Sequence, residues 1–295
     1  MKKYVVTGAS GLIGSHLLKE LNKEAKIFAV GRSDVIEHMS SSNVQYIKLD
    51  LARDARFDLL PQRVDGVIHL AQSEHFRDFP EHSVEVFEVN TVGTLRLLDY
   101  ARKVGARTFI YASSGGVYGY SDDGFTEDTE IKQRGDLGFY LGTKLCSEIL
   151  SDCYTSLMNV IVLRFFFVYG PGQRRSMLIP RLVDWVRQGK PIVLQGSDGI
   201  KLNPTYVSDA ASAICRSLEV KGSHKINVAG PQVLSMREIG EIIGQVLSER
   251  PKFNLESDVE PLHLIGDITT MSRILGPPVV GFEEGIKTYL DQTTR

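Results

Sequence analysis

The feature that most constrains this chain lies at its start. The β-branched run Tyr4-Val5-Val6-Thr7 leads into Gly8-Ala9-Ser10-Gly11-Leu12-Ile13-Gly14, and Ser15 to Leu21 then repeats apolar residues at helical spacing. Strand, glycine turn and helix come in the order that a dinucleotide site in a parallel α/β sheet requires. A backbone without Cβ lets a pyrophosphate approach closely, and a helix amino terminus offers free N–H donors and a positive dipole end. Gly8, Gly11 and Gly14, with Ser10, Leu12 and Ile13 between them, are therefore candidate cofactor residues.

Further strands are read at Ala25–Val30, Val44–Leu49, Val67–Ala71, Thr108–Ala112 and Asn159–Phe166. Gly31-Arg32-Ser33 follows the second, with Asp34 later. An acidic residue there would favour NAD, whereas Arg32 and Ser33 suit a 2′-phosphate, so the reading is NAD or NADP with a tilt to NADP; Arg32 could equally be a solvated loop residue stacking on adenine. Asp50, before Leu51, could accept the adenine amino group or cap a helix over 54–60. Leu70 and the small Ala71 allow close approach of a cofactor, His69 reads as a satisfied interior histidine, and Asn90 either touches the cofactor or satisfies backbone.

Tyr140 and Lys144 stand four apart on a helical stretch, hence on one face. A phenol with a reference pKa of about 10 is only ~0.1% ionised at neutral pH, and making it a proton carrier takes roughly 4 kcal/mol. One cation about 4 Å away, at an effective dielectric of about 20, supplies energy of that order. A half-buried Tyr beside a surface Lys is the competing reading. Ser114, at the carboxyl end of the fifth strand, would complete a Ser-Tyr-Lys set around a hydroxyl or carbonyl oxygen.

Thirty-four basic and thirty-six acidic residues leave a formal charge of −2, which favours neither nucleic acid nor an anionic membrane. Three cysteines without metal-ligand spacing fit a reducing cytoplasm, and no metal site is read. No apolar run reaches the 20 or so residues of a membrane span. Residues 84–104 and the set Leu141, Leu145, Ile149, Leu150, Tyr154 and Leu157 carry apolar side chains on more than one stripe. Two such helices suggest a homodimer through a four-helix bundle.

Taken together, Gly8-x-x-Gly11-x-x-Gly14, Asp50-Leu51, His69-Leu70-Ala71, Asn90-x-x-Gly93-Thr94, Ser113-Ser114-Gly115-Gly116-Val117-Tyr118-Gly119, Tyr140-x-x-x-Lys144 and Arg164-x-x-x-Val168-Tyr169-Gly170-Pro171 resemble an extended short-chain dehydrogenase/reductase of the nucleotide-sugar epimerase and dehydratase type. The resemblance implies a Rossmann-type doubly wound parallel sheet over residues 1–170. It also implies a smaller mixed α/β substrate-binding part over 171–295, some of whose segments pack back on the first. The glycines would then cradle the pyrophosphate, Asp50 and Leu51 the adenine, and Ala71 and Asn90 the inner cofactor. Tyr140 would be the acid/base, Lys144 would bind the nicotinamide ribose and lower the tyrosine pKa, and Ser114 would orient the reacting oxygen.

Two positions depart from the family. Phe167, counted with the cofactor-side residues, stands where Asn commonly contacts the diphosphate, and Leu202 stands where an arginine usually grips it. Arg174, Arg175 and Lys201 are the candidate substitutes, with Ser114 and Gly115 on the sugar side. Dehydratases of the family carry an Asp-Glu pair at the positions of Gly115 and Gly116, so dehydration is set aside. The order of readings is a sugar-nucleotide epimerase, an NADPH-dependent ketone or 4-keto-sugar reductase, and a non-catalytic dinucleotide-sensing regulator.

Overall fold

The computed structural model describes residues 1–21, 23–32, 42–53, 56–131 and 137–293; Ser33 and Asp34 lie outside them. The first half alternates strands and helices: β1 (Lys2–Thr7), α1 (Leu12–Leu21), β2 (Ala25–Gly31), β3 (Val44–Lys48), β4 (Gly66–His69), α2 (Ser83–Phe87), α3 (Gly93–Lys103), β5 (Thr108–Ser114), α4 (Phe139–Asp152) and β6 (Asn159–Phe165). The rest holds β7 (Val168–Tyr169), α5 (Leu178–Arg187), β8 (Pro191–Gln195), β9 (Lys201–Leu202), β10 (Thr205–Tyr206), α6 (Val207–Ser217), β11 (His224–Val228), β12 (Leu234–Ser235), α7 (Met236–Leu247), β13 (Lys252–Glu256), α8 (Thr269–Ile274) and α9 (Phe282–Thr293).

Seven strands form one sheet in the order β11-β6-β5-β4-β1-β2-β3, and the pairs β3–β2, β2–β1, β1–β4 and β4–β5 all run parallel. Order reverses between β1 and β4, the switch point at which sheets of this kind leave a crevice. Thr7 pairs with His69 and His69 with Tyr111, so Gly8, Leu70 and the end of β5, Ala112–Ser114, lie at one edge of the sheet. One face of the sheet packs Val5, Phe28, Val30, Val67, Phe109 and Val160 against Leu97, Leu98 and Ala101 of α3.

Between α2 and α3 the chain takes a π-helical turn, Glu88–Val92, so the helix read over 84–104, whose sequence suggests an interruption at Asn90 and Gly93-Thr94, runs on through a turn widened at Asn90. Such a turn is common at functional sites. The helix expected over 54–60 is not there among the described residues: a 3₁₀ turn, Phe57–Leu59, ends at Leu60, which is extended at ψ 154°. Pro61 follows, and a residue before proline is pushed out of the helical region.

Compactness divides the chain into two discontinuous units, Met1–Val117 with Lys132–Arg164 and Ala211–Ile226, and Tyr118–Ile131 with Phe165–Ala210 and Asn227–Arg295. The segment Ala211–Ile226 is grouped with the first unit, and β11, which it enters, pairs into the sheet. In the second unit α7 begins with a full capping box between Ser235 and Glu238, satisfying two backbone donors that the helix leaves open.

Candidate active site

The glycine turn closes on itself and on the loop after β4. Gly8 has φ +67°, and a Cβ there would stand 2.6 Å from the Ala71 nitrogen. At Gly14 a Cβ would lie 2.3 Å from the Gly8 carbonyl oxygen. Both contacts are shorter than any side chain tolerates, so the turn accepts only glycine at these two places. Ser10 and Gly11 are exposed and Leu12 and Ile13 half-buried at the mouth of α1, where the free N–H groups of its first turn suit a pyrophosphate.

Behind the turn a buried network fixes the switch point. His69 lies between Thr7 Oγ1, 2.7 Å from Nδ1, and Thr94 Oγ1, 3.0 Å from Nε2. The Thr94 hydroxyl donates to the Asn90 carbonyl, so its oxygen must accept from Nε2–H, and Nδ1 accepts from Thr7. Thr7 Oγ1 in turn accepts the Ala71 N–H at 3.3 Å. Burial, reinforced by the charge of Lys144, lowers the histidine pKa to about 3 and keeps it neutral. His69 is thus the satisfied interior histidine that its sequence suggests.

Asn90 is spoken for as well. Its Oδ1 accepts the Ser73 N–H at 2.9 Å and its Nδ2 donates to Thr143 Oγ1 at 3.0 Å, while its carbonyl accepts from Ser147 Oγ at 2.8 Å. The side chain ties the loop after β4 to α4.

Helix α4 buries Thr143, Lys144, Ser147, Glu148 and Ser151, a polar stripe at positions three and four apart, and leaves Cys146 and Ile149 exposed. The stripe is held by the buried pair of Glu148 with Arg164 of β6, whose Nη2 reaches Oε2 at 2.6 Å and Nε reaches Oε1 at 3.0 Å. Ser113 Oγ also donates to Glu148 Oε1. One carboxylate therefore anchors α4 to β5 and β6 beside the candidate residues.

Those residues meet this anchor from the sheet edge. Lys144 Nζ donates to the Ala112 carbonyl at 2.9 Å and stands 5.8 Å from the Tyr140 ring centroid. Burial pulls its pKa down to about 7, with the Glu148 charge opposing. Tyr140, partly exposed, donates to Gln72 Oε1 at 2.8 Å. Burial raises its pKa and Arg77 is the cation that opposes. Lys144 thus lies beside the Tyr140 ring with one of its three N–H donors on a carbonyl, leaving two to give elsewhere. Ser114 Oγ accepts the Gly116 N–H at 3.1 Å, which leaves its own proton to donate. A Cβ on Gly116 would press to 2.9 Å of Leu141 Cδ2, so the turn after β5 has no room for an added acidic side chain without movement of Leu141.

Other candidates are engaged elsewhere. Arg32 pairs with Glu74 at 2.7 Å and approaches Glu85 at 3.7 Å, carboxylates that compete with a 2′-phosphate. Asp50 Oδ1 accepts the Ala52 N–H at 2.9 Å, a bond within its own turn, and Leu51 is buried against Gly93.

Within the second unit, Phe167 holds φ +41°, a left-handed conformation that asparagine tolerates better than phenylalanine. Arg175 is bound to Asp184, with Nε 2.9 Å from Oδ2, while Arg174 and Lys201 are exposed. Leu202 is fully buried and pairs with Leu234, a core position.

Sequence reasoning missed Gln72, Glu148 and the loop that carries Gln72. Only Glu148 left a signal, four residues beyond Lys144 on the same helix face. In that loop His75 and His82 stack with centroids 3.9 Å apart and planes 9° apart, near Glu85. An ion lies near the plane of each imidazole that binds it, and two near-parallel planes share no such point. The His75–His82 stack, with His75 Nδ1 2.9 Å from Asp78 Oδ2, braces the loop.

Known proteins resemble this chain along nearly its whole length. The model of the NAD dependent epimerase/dehydratase family matches residues 4–229. A UDP-glucuronate 4-epimerase of Thermodesulfobacterium geofontis is 28% identical, over 97% of this chain and 94% of its own. A dTDP-4-dehydro-6-deoxy-D-allose reductase of Streptomyces bikiniensis is 27% identical, over 99% and 94%. The crystal structure of UDP-glucuronic acid 4-epimerase from Bacillus cereus, in complex with UDP-glucuronic acid and NAD, superposes with a TM-score of 0.86 at 27% identity, covering 99% of both chains.

Proposed function

The chain belongs to the NAD-dependent epimerase/dehydratase family, and on that footing we propose that it is a sugar-nucleotide epimerase that works by reversible hydride transfer at a carbinol carbon. The observation that carries this reading is the convergence of the glycine turn, Ser114, Tyr140 and Lys144 on elements that end at one edge of the sheet. The cradle fits a dinucleotide, since Cβ atoms at Gly8 and Gly14 would fill it. Bound NAD would supply the hydride acceptor and donor.

The chain's own residues supply the rest. Gly8, Gly11 and Gly14 would hold the pyrophosphate against α1, Leu51 would line the adenine side and Lys144 would bind the inner ribose. Ser114 would donate to the reacting oxygen, and Tyr140 would take its proton and return it. Loss of that proton and of the hydride leaves a carbonyl, and return of the hydride to the other face of the carbon, with the proton going back to the oxygen, inverts the carbon. A UDP-uronate or UDP-hexose is the favoured substrate class, because relatives across nearly the whole chain bear those names. Phe167 and the buried Leu202 leave the diphosphate to other contacts, with Arg174 and Lys201 as candidates. NAD is favoured over NADP, because Arg32 faces Glu74 and Glu85 and the neighbouring structure holds NAD.

The test is incubation of the purified chain with UDP-glucose and UDP-glucuronic acid, followed by NMR of the C4 epimers, and titration with NAD and NADP. The expected result is interconversion without added reductant and NADP binding no tighter than NAD. Consumption of NADPH with a 4-keto sugar, and no epimer formation, would establish the reductase instead.

A homodimer belongs to this proposal. Helix α4 turns its polar stripe inward and its apolar one out, with Ile149 53% exposed and the following Leu157 59%; Val84 and Phe87 of α2 and Leu95 of α3 are exposed too. A second copy would cover these helices in a four-helix bundle. Light scattering should give twice the 32.8 kDa chain mass, and Ile149→Glu should return it to one; a monomeric wild type would refute the dimer. A cytoplasmic location is also proposed. It is supported by three free cysteines, and among the described residues no helix is long and apolar enough to cross a membrane.

A further inference from the structure

The loop between β4 and α2 reaches Tyr140 through several side chains, and they divide into those that hold the ring and one that meets its oxygen. Phe76 tilts against the Tyr140 ring at 5.0 Å and 53°, and Arg77 lies 5.1 Å over Phe76. Phe79 stacks on Phe139, one residue before Tyr140, at 5.2 Å. The loop is itself fixed: Ser73 N–H bonds Asn90 Oδ1, Ser73 Oγ accepts the His75 N–H at 3.1 Å, and the His75–His82 stack closes its far end. Gln72 is next to that anchored serine, with its amide oxygen 2.8 Å from the phenol.

We propose that the Gln72 amide is a positioning residue that serves Tyr140 in both protonation states, accepting from the phenol through Oε1 and, after a half-turn of the amide, donating to the phenolate through Nε2. The inference rests on Tyr140 being the acid/base of the proposed reaction. A carboxylate can only accept and an ammonium can only donate, whereas a primary amide does both from one terminus, and the torsion that exchanges them is broad and two-fold. A tyrosine that loses and regains a proton in each turnover needs such a partner. Lys144, whose Nζ bonds the Ala112 carbonyl, does not fill the role, because an ammonium can donate to the phenolate but cannot accept from the phenol. The charged and titratable groups set around the phenol are Arg77 from the loop, Lys144 from α4 and Tyr111 from β5, where Lys144 lies 5.2 Å from the Tyr111 ring.

The test compares Gln72→Met, Gln72→Glu and Tyr140→Phe in the NAD-loaded enzyme, by kcat and KM against pH and by phenolate absorbance on titration. Methionine keeps the length and removes both hydrogen bonds, so kcat should fall roughly tenfold with KM little changed. Glutamate accepts from the phenol but repels the phenolate. Its rate profile and its absorbance titration should therefore both move upward by about one pH unit or more. Its near-identical shape keeps it folded if the methionine variant is not, and melting curves check both. Wild-type kcat and an unmoved pH profile in a folded Gln72→Glu would overturn the proposal while a dead Tyr140→Phe left the acid/base reading standing. A fully active Tyr140→Phe would overturn both.

Discussion

Replacing Tyr140 by phenylalanine is expected to lower kcat for epimerisation by roughly a thousandfold, in the middle of the range for loss of a positioned acid/base. The hydroxyl removed is partly exposed and makes one described bond, to Gln72. Its loss should therefore cost only about 0.5–1.5 kcal/mol of stability, and the ring contacts with Phe76 persist. NAD content after purification should be unchanged, since the glycine cradle and Lys144 are untouched. The raised phenol pKa gives the sign of the pH effect. The wild-type rate should climb as pH rises through neutrality, because the ionised fraction that can take a proton is small and grows, and the residual rate of the variant should be flat. Epimer formation followed by NMR from pH 6 to 10, beside melting curves, measures all of this. A folded, NAD-bearing variant with wild-type kcat would remove Tyr140 from the reaction.

Much of this site was legible because its signals are local. A glycine turn between a strand and a helix, small residues after β4 and a Tyr-Lys pair at helical spacing are short-range patterns. The structure brings their elements to one sheet edge as the doubly wound reading expects. What could not be read depends on partners far along the chain. Arg32 looks like a phosphate ligand until Glu74, 42 residues on, is found against it. Nothing near Leu202 says that it pairs with Leu234 in a core. The two-sided character of α4 was visible in its sequence, but which side is buried was not. That choice is made by Asn90, Ser113 and Arg164, which reward the polar stripe and leave Ile149 outside. At the end of the span read as a helix over 54–60, the local signal is Pro61, which holds Leu60 extended.

The buried pair Glu148–Arg164 should be the costliest polar contact to break. Both side chains are almost wholly inaccessible, at 1% and 3% exposure, and charges so buried are tolerable only together. Glu148→Ala takes the carboxylate from a buried guanidinium and from Ser113, and the expected loss is about 3–5 kcal/mol. In a chain of this size that is a fall in Tm on the order of 10 °C. Replacing both residues by methionine removes the charges as a pair, and such exchanges are often neutral, so the double variant should recover most of the loss. Its activity should not recover with it. The Glu148 charge raises the Lys144 pKa against burial, so without it the lysine is neutral over more of the range around pH 7 and its hold on the cofactor weakens. The Ser113 bond that steadies the strand end before Ser114 is gone as well. Melting temperature and NAD affinity, read in the single and double variants, therefore separate the two duties of one carboxylate. A single variant that melts with the wild type would show that the pair anchors nothing, and a double variant with both stability and NAD binding restored would show that its only duty is structural.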